Sequence, residues 1–228
     1  MNTSRESDIH LLVRADDMAA HYDKNLAIIR AHTRGIVTSA SLMPTADFFE
    51  EAVQLCREHP TLCVGVHTTL RGTRKRSVLP PPEIPSLLTP EGFFRESFDD
   101  WAESPPDEEE LAKEIRAQVE KVLATGLKAT YIDWHRPGNS SAMKEIILGL
   151  CKEHGLIYGQ DFDGSLYGYK RVKLVPETWP QTDLPDGQRV YLRAPAFNEA
   201  QKEVFFERLA GLEPGHWATA VHPGLAAP

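Results

Sequence analysis

Cysteine is scarce in this chain of 228 residues: Cys56, Cys63 and Cys151 are odd in number and form no Cys-x-x-Cys pair. That excludes a disulfide framework or a cysteine metal knuckle and fits a reduced, cytoplasmic compartment. No apolar run approaches the roughly 18 residues needed to cross a bilayer. The polar start, Met-Asn-Thr-Ser-Arg-Glu-Ser-Asp, has no apolar leader core, so neither a membrane partner nor secretion is expected. Positive charge is short as well. Lys and Arg number 25 against 33 Asp and Glu, a net charge of −8, whereas nucleic-acid surfaces cluster basic residues. The one basic run, Arg71, Arg74, Lys75 and Arg76, reads as a solvated loop face or as a contact for an anionic substrate group. A glycine-rich phosphate cradle is also missing. Aromatics make up only 8%, and Trp101, Trp134 and Trp179 are read as packing residues ahead of sugar-stacking ones.

What remains is an apolar fraction of 41%, ample for one core. With no internal repeat or linker, residues 1–228 read as a single domain. Short β-branched runs alternate with helical periodicity. Strands are expected over residues 9–14, 37–43, 62–70, 130–135, 156–162, 189–193 and 216–221, and helices over 24–33, 47–59, 107–126, 141–154 and 198–209. In the helix after Asp107, Glu110 completes the pattern of a capping box. Residues 71–106 lose periodicity and gather prolines, an excursion of the kind that often covers an active site. Strand–helix alternation repeated six or seven times predicts a parallel sheet, either barrel or doubly wound.

Position then separates function from fold. Asp16, Asp17, His67, His135 and His222 all fall at C-terminal ends of expected strands, the edge where α/β folds build sites. His32, His59 and His154 instead lie in last helical turns, where they suit the helix dipole. Period two puts Asp133 with His135 and Gly65 with His67, and Gly65 leaves room beside that imidazole. Two imidazoles and a carboxylate meeting at a point make a three-ligand divalent-metal site with open positions, and a second carboxylate beside them is available as a general base. Taken singly, each residue reads more readily as a bonded core histidine or as a turn or capping aspartate than as a ligand.

The segments Leu11-Leu-Val-Arg-Ala-Asp-Asp-Met, Gly35-Ile-Val-Thr-Ser-Ala-Ser-Leu-Met, Val64-Gly-Val-His-Thr-Thr-Leu, Thr130-Tyr-Ile-Asp-Trp-His and Val221-His-Pro-Gly, in that order, resemble the YdjC-like carbohydrate deacetylase family, which includes chitooligosaccharide deacetylases. The resemblance implies an irregular TIM-like (β/α) barrel that removes N-acetyl groups from amino sugars or small oligosaccharides with a divalent cation. It casts Asp16 as catalytic base, Asp17, His67 and His135 as metal ligands and His222 as general acid. Magnesium is the family's usual ion, whereas the histidine-rich donor set favours zinc or another transition ion over magnesium, so both are expected candidates. Asp133 fits a partner that fixes a ligand imidazole. The expected partner is a small carbohydrate, and a homodimer stays open. A metal-dependent phosphoesterase and a non-catalytic sugar-binding barrel are the alternatives.

Three departures stand out. His135-Arg-Pro-Gly-Asn lacks the further histidines of the family pattern, which leaves substrate choice open. Met18-Ala19 replaces the usual Phe-Gly after Asp17, which alters the loop beside the metal ligand. Only six residues follow His222, so the barrel is expected to be open or to lack a C-terminal helix.

Overall fold

The computed structural model describes residues 8–72, 75–95, 101, 103–135, 140–160, 168–174, 181–183, 189–191 and 199–224. In chain order these form β1 (Ile9–Met18), α1 (Tyr22–Arg34), β2 (Ser39–Leu42), α2 (Phe49–Glu58), β3 (Cys63–Thr68), α3 (Glu108–Ala124), β4 (Ala129–Trp134) and α4 (Ser141–His154). There follow β5 (Ile157–Tyr158), β6 (Lys170–Arg171), β7 (Gln181–Asp183), β8 (Arg189–Tyr191), α5 (Glu199–Ala210) and β9 (Gly215–Val221). Seven strands make one sheet in the order β5-β4-β3-β2-β1-β9-β6. Every pairing in it is parallel. The sheet curls as a half-barrel with the last long strand beside the first.

The two faces of this sheet differ chemically. Val13 and Ala15 of β1, Ala40 and Leu42 of β2, Val64 and Val66 of β3, and Ile132 and Trp134 of β4 join the core packed with the helices. On α3 the stripe Leu111, Ile115, Val119 and Val122 is no more than 1% exposed. Its spacing is that of one helix face, and each such side chain stabilises by about 1.5–3 kcal/mol on burial. The alternate residues, Arg14, Asp16, Ser39, Ser41, His67, Tyr131 and Asp133, are buried too, but they are polar. In TIM barrels, branched apolar residues usually dominate that inner layer.

Several elements differ from their expected form. The strand expected to end at Arg14 runs on to Met18, because β9 pairs with it through Ala15 and, past a register shift, Met18 pairs with Leu42 of β2. The strand at Arg189–Tyr191 does not join the main sheet, since it pairs antiparallel with β7. The excursion after β3 is well packed. Two 3-10 turns, Pro81–Glu83 and Pro85–Leu87, carry Ile84 and Leu87, which together with Phe94 are fully buried. Asp107 does cap α3, accepting from Glu109 N and Glu110 N at 2.9 and 3.0 Å. Glu110, however, accepts from Ser86 N at 2.7 Å and so ties the excursion to the helix. Glu114 continues this role one turn on, accepting from Val78 N and Leu79 N at 2.9 and 3.0 Å. Ser140 caps α4, and Gly155 ends it at φ 67°. Trp101 and Trp134 are buried, in keeping with packing, while Trp179 lies outside the described residues.

Candidate functional site

The polar face of the sheet is a bonded network. Arg14 donates from Nε to Asp16 Oδ1 at 2.7 Å and from Nη2 to Asp16 Oδ2 at 3.2 Å. Its Nη1 lies 2.9 Å from Asp133 Oδ2 and donates to Gly159 O. Asp133 also accepts from Ser41 Oγ at 2.9 Å, and its Oδ1 meets His67 Nδ1 at 2.7 Å. Tyr131 bonds through its hydroxyl to Ser39 and Ser41. Gly65 is required here for a different reason than its spacing with His67 suggests. A Cβ at Gly65 would overlap the ring of Tyr131, its register partner on β4, so the glycine makes room for tyrosine.

Burial opposes each of these charges, and the neighbours reverse its effect. Desolvation works against the Arg14 guanidinium, yet Asp133 and Asp16 hold it more firmly protonated than usual. Desolvation alone would raise the Asp133 carboxyl, but Arg14 and His67 keep it below the usual range. Burial would likewise deprotonate His67, whereas Asp133, Asp17 and Asp16 push it up to about 10.

Adjacent residues on a strand point to opposite faces, so Asp16 and Asp17 need a device to reach one site. The device is a bulge. The β1–β2 register shifts between Ala15 and Met18, and Asp17 takes φ 64°. Ala19 follows at φ 83°. The turn is fastened by Asn25, whose Oδ1 accepts from Ala19 N at 2.7 Å, while α1 begins after His21 with no side-chain cap from Asp17.

Asp17 becomes the hub. Its Oδ1 lies 3.3 Å from His67 Nε2 and 3.6 Å from His135 Nε2. Its Oδ2 accepts from Lys24 Nζ at 2.9 Å and lies 3.9 Å from His222 Nε2. His135 is set just past β4 by a bond from its backbone N to Thr68 O, which extends the β3–β4 ladder. Burial would raise the Asp17 carboxyl, but His67, Lys24 and His135 hold it well below the usual carboxylate range.

This donor set suits a divalent cation. Asp17 Oδ1 and His67 Nε2 are buried without a hydrogen-bond partner, close but not aligned with each other. Ligands on metal bonds of about 2.0–2.2 Å stand about 2.9–3.4 Å apart, close to the spacings found here. Charge points the same way. Among the described residues Arg14 and Lys24 supply two positive charges against the three carboxylates Asp16, Asp17 and Asp133, leaving one negative charge in excess when the imidazoles are neutral. Among the described residues no three His, Cys, Asp or Glu side chains form a finished ligand cluster, so the donors stand together without being closed on a point.

All five residues singled out in the sequence thus meet at one edge of the sheet. Arg14, Lys24 and Asn25 were not singled out, and the only local sign of Arg14 was a charge inside an apolar strand. The segment after His135, residues 136–139, lies outside the described residues, as do 73 and 74 of the basic run, while Arg76 lies over the Phe93 ring at 4.7 Å. No described helix is long and apolar enough to cross a membrane.

The YdjC-like protein family matches this chain over residues 10–228. The chain belongs to that family. Among its relatives, the carbohydrate deacetylase of Brevibacillus brevis is 41% identical over 145 residues, covering 63% of this chain and 56% of that protein. The carbohydrate deacetylase of Enterococcus faecalis is 32% identical over 157 residues, 66% of this chain and 58% of that one. The chain therefore spans a little over half the length of these relatives. An Enterococcus faecalis V583 protein named for cellobiose-phosphate cleavage has a crystal structure that superposes with a TM-score of 0.74 at 23% identity, covering 97% of this chain and 83% of the other. That likeness establishes the shared fold.

Proposed function

We propose that this YdjC-like chain is a metal-dependent hydrolase that removes the acetyl group from an N-acetylated amino sugar or small oligosaccharide, on a sheet arranged as an irregular TIM-like barrel. The barrel reading rests on strand order, which follows the chain around from β6 and β9 through β1 to β5. The reaction rests on one observation above all. Asp17 Oδ1 faces His67 Nε2 at 3.3 Å and His135 Nε2 at 3.6 Å, the oxygen and His67 Nε2 both buried without a hydrogen-bond partner, at the C-terminal edge of a parallel sheet. The deacetylase names of the relatives supply the substrate class.

Asp17, His67 and His135 would hold the cation. When bound, it supplies Lewis acidity toward an acyl oxygen and acidifies water. Asp133 accepts from His67 Nδ1 and so fixes the tautomer that leaves Nε2 free to donate its lone pair. Asp16 takes a proton from the attacking water. Its oxygens each hold one Arg14 N–H and keep a further lone pair for that proton. Water oxygen bonds to the acyl carbon, the C–N bond breaks, and the amine leaves with a proton. His222, with 45% of its side chain exposed and its Nε2 3.9 Å from Asp17 Oδ2, would give that proton.

The test joins elemental analysis of purified protein to acetate release from N-acetylated mono- and disaccharides. Release should stop on chelation, return with added cation, and fall by about 10²–10⁴-fold in Asp16→Asn. Release that survives both chelation and Asp16→Asn defeats the mechanism. Sugar binding with no release under any cation marks a non-catalytic barrel.

A further inference from the structure

Among the described residues six carboxylate oxygens, those of Asp16, Asp17 and Asp133, surround the site, and five of them are already engaged. Asp16 gives both to Arg14. Asp133 gives Oδ1 to His67, and Oδ2 to Ser41 and Arg14. Asp17 gives Oδ2 to Lys24. The one oxygen without a hydrogen bond is Asp17 Oδ1, and the donors nearest it are imidazole nitrogens of His67 and His135. A cation entering here therefore meets one carboxylate oxygen and two nitrogens.

We propose that this site selects a nitrogen-accepting transition-metal dication of the zinc type over magnesium, and that Lys24 sets this selectivity by occupying the second oxygen of Asp17. The inference rests on the metal-dependent reading given above. Magnesium binds through oxygen and gives up its waters reluctantly, so a single carboxylate oxygen holds it poorly. Imidazole suits zinc, iron, nickel and copper. Lys24 acts twice. Its ammonium, 21% exposed in the first turn of α1, holds Asp17 to one-oxygen ligation and also adds a repelling charge beside the cation. The repulsion falls on either dication alike, whereas the blocked oxygen handicaps the oxygen-seeking one. Lys24 is thus a positioning residue that acts through Asp17.

Metal-stripped wild type, Lys24→Met, Lys24→Arg and Asp17→Asn are titrated with Zn²⁺ and with Mg²⁺ by calorimetry, and bound ions are counted by elemental analysis. Ions also held by Asp17→Asn are subtracted, which removes any contribution from the stacked His10–His216 pair at the far end of the sheet. One Zn²⁺ per chain, bound more tightly than Mg²⁺, is expected for wild type. Because mixed sites commonly favour zinc, the deciding quantity is the ratio of the two affinities. Lys24→Met should narrow that ratio by about 10-fold or more, chiefly through tighter Mg²⁺ binding, and Lys24→Arg should keep it near wild type. A wild type that prefers Mg²⁺, or a Lys24→Met protein with an unchanged ratio, overturns the proposal. If Mg²⁺ is preferred and acetate is still released, only the selectivity falls. If neither ion binds at an Asp17-dependent site, the metal-dependent reading falls with it.

Discussion

Replacing Asp133 with asparagine tests the network at the point where stability and site geometry meet. Asp133 is completely buried and receives Ser41, Arg14 and His67 at 2.9, 2.9 and 2.7 Å. An asparagine has one acceptor oxygen. If that oxygen serves Ser41 and Arg14, its NH2 faces His67 Nδ1 and favours the opposite tautomer, with the proton on Nε2 where the cation would bind. Removing one member of a buried charge pair costs about 3–5 kcal/mol. Asp16 still compensates Arg14, so the low end, about 3 kcal/mol, is expected, or a fall in melting temperature of about 6–12 °C for a chain of this length. Cation affinity should drop by about 10–100-fold. Thermal unfolding of the metal-free variant, followed by circular dichroism, reads the first quantity, and calorimetric titration reads the second. Ser41→Ala, which removes one hydroxyl donor, should cost only about 1 kcal/mol and keep the His67 tautomer. A variant that melts within about 2 °C of wild type and binds the cation equally well would refute the reasoning.

Two further outcomes follow from the local geometry. Ala19→Gly should leave stability within about 1 kcal/mol of wild type, because relief of about 1–2 kcal/mol of strain at φ 83° is offset by glycine's extra chain entropy and by loss of a fully buried methyl worth about 0.8 kcal/mol. Chemical denaturation measures it, and a loss of more than about 1.5 kcal/mol, the entropy and methyl costs together, would show that the turn around Asp17 carries no strain. Glu114 predicts a pH dependence. Burial lifts its carboxyl above the usual glutamate value, while Val78, Leu79 and Gln118 pull only partly against this. The folded state then binds the proton more tightly than the unfolded chain, so Glu114 favours folding most at low pH, and that advantage fades as pH rises through its raised value. Wild-type stability minus that of Glu114→Gln should therefore decline with rising pH in the mildly acidic range, and a difference that grows would reverse the assignment.

Much of this fold is written locally in the chain. The stripe Leu111, Ile115, Val119 and Val122, the cap at Asp107 and the stop at Gly155 each follow from a few neighbouring residues, and the helices appear where these signals place them. The convergence of Asp16, Asp17, His67, His135 and His222 was legible as strand-end placement. Their partners were not. Arg14 finds Asp133 across 119 positions of sequence, a pairing that no periodicity announces. Lys24 looks like any first-turn lysine until the bulge at Asp17 turns a carboxylate toward it. Gly65 was correctly marked as making room, but the occupant is Tyr131 on the next strand. Adjacent aspartates also carry no sign of the bulge that lets both face one site, because positive φ at a non-glycine residue is imposed by the surroundings, here the bond between Asn25 and Ala19.

The same facts explain why this sheet tolerates an inner face so unlike an ordinary barrel core. A buried charge is costly alone, and here each is placed where another compensates it: Arg14 between Asp16 and Asp133, His67 between Asp133 and Asp17, Lys24 on Asp17. The sum still falls one positive charge short with neutral imidazoles, and the shortfall is located at Asp17 Oδ1, the one carboxylate oxygen of the site without a donor. Asp133, Asp17 and Asp16 raise the affinity of His67 for a proton against the effect of burial, the direction that would make up the difference. A divalent cation at the same point would make it up more strongly and displace the proton. On the metal-dependent reading proposed above, the network that stabilises the inner face of the sheet also creates the demand for a cation at its edge, so substitutions at Arg14 or Asp133 should change folding stability and cation binding together.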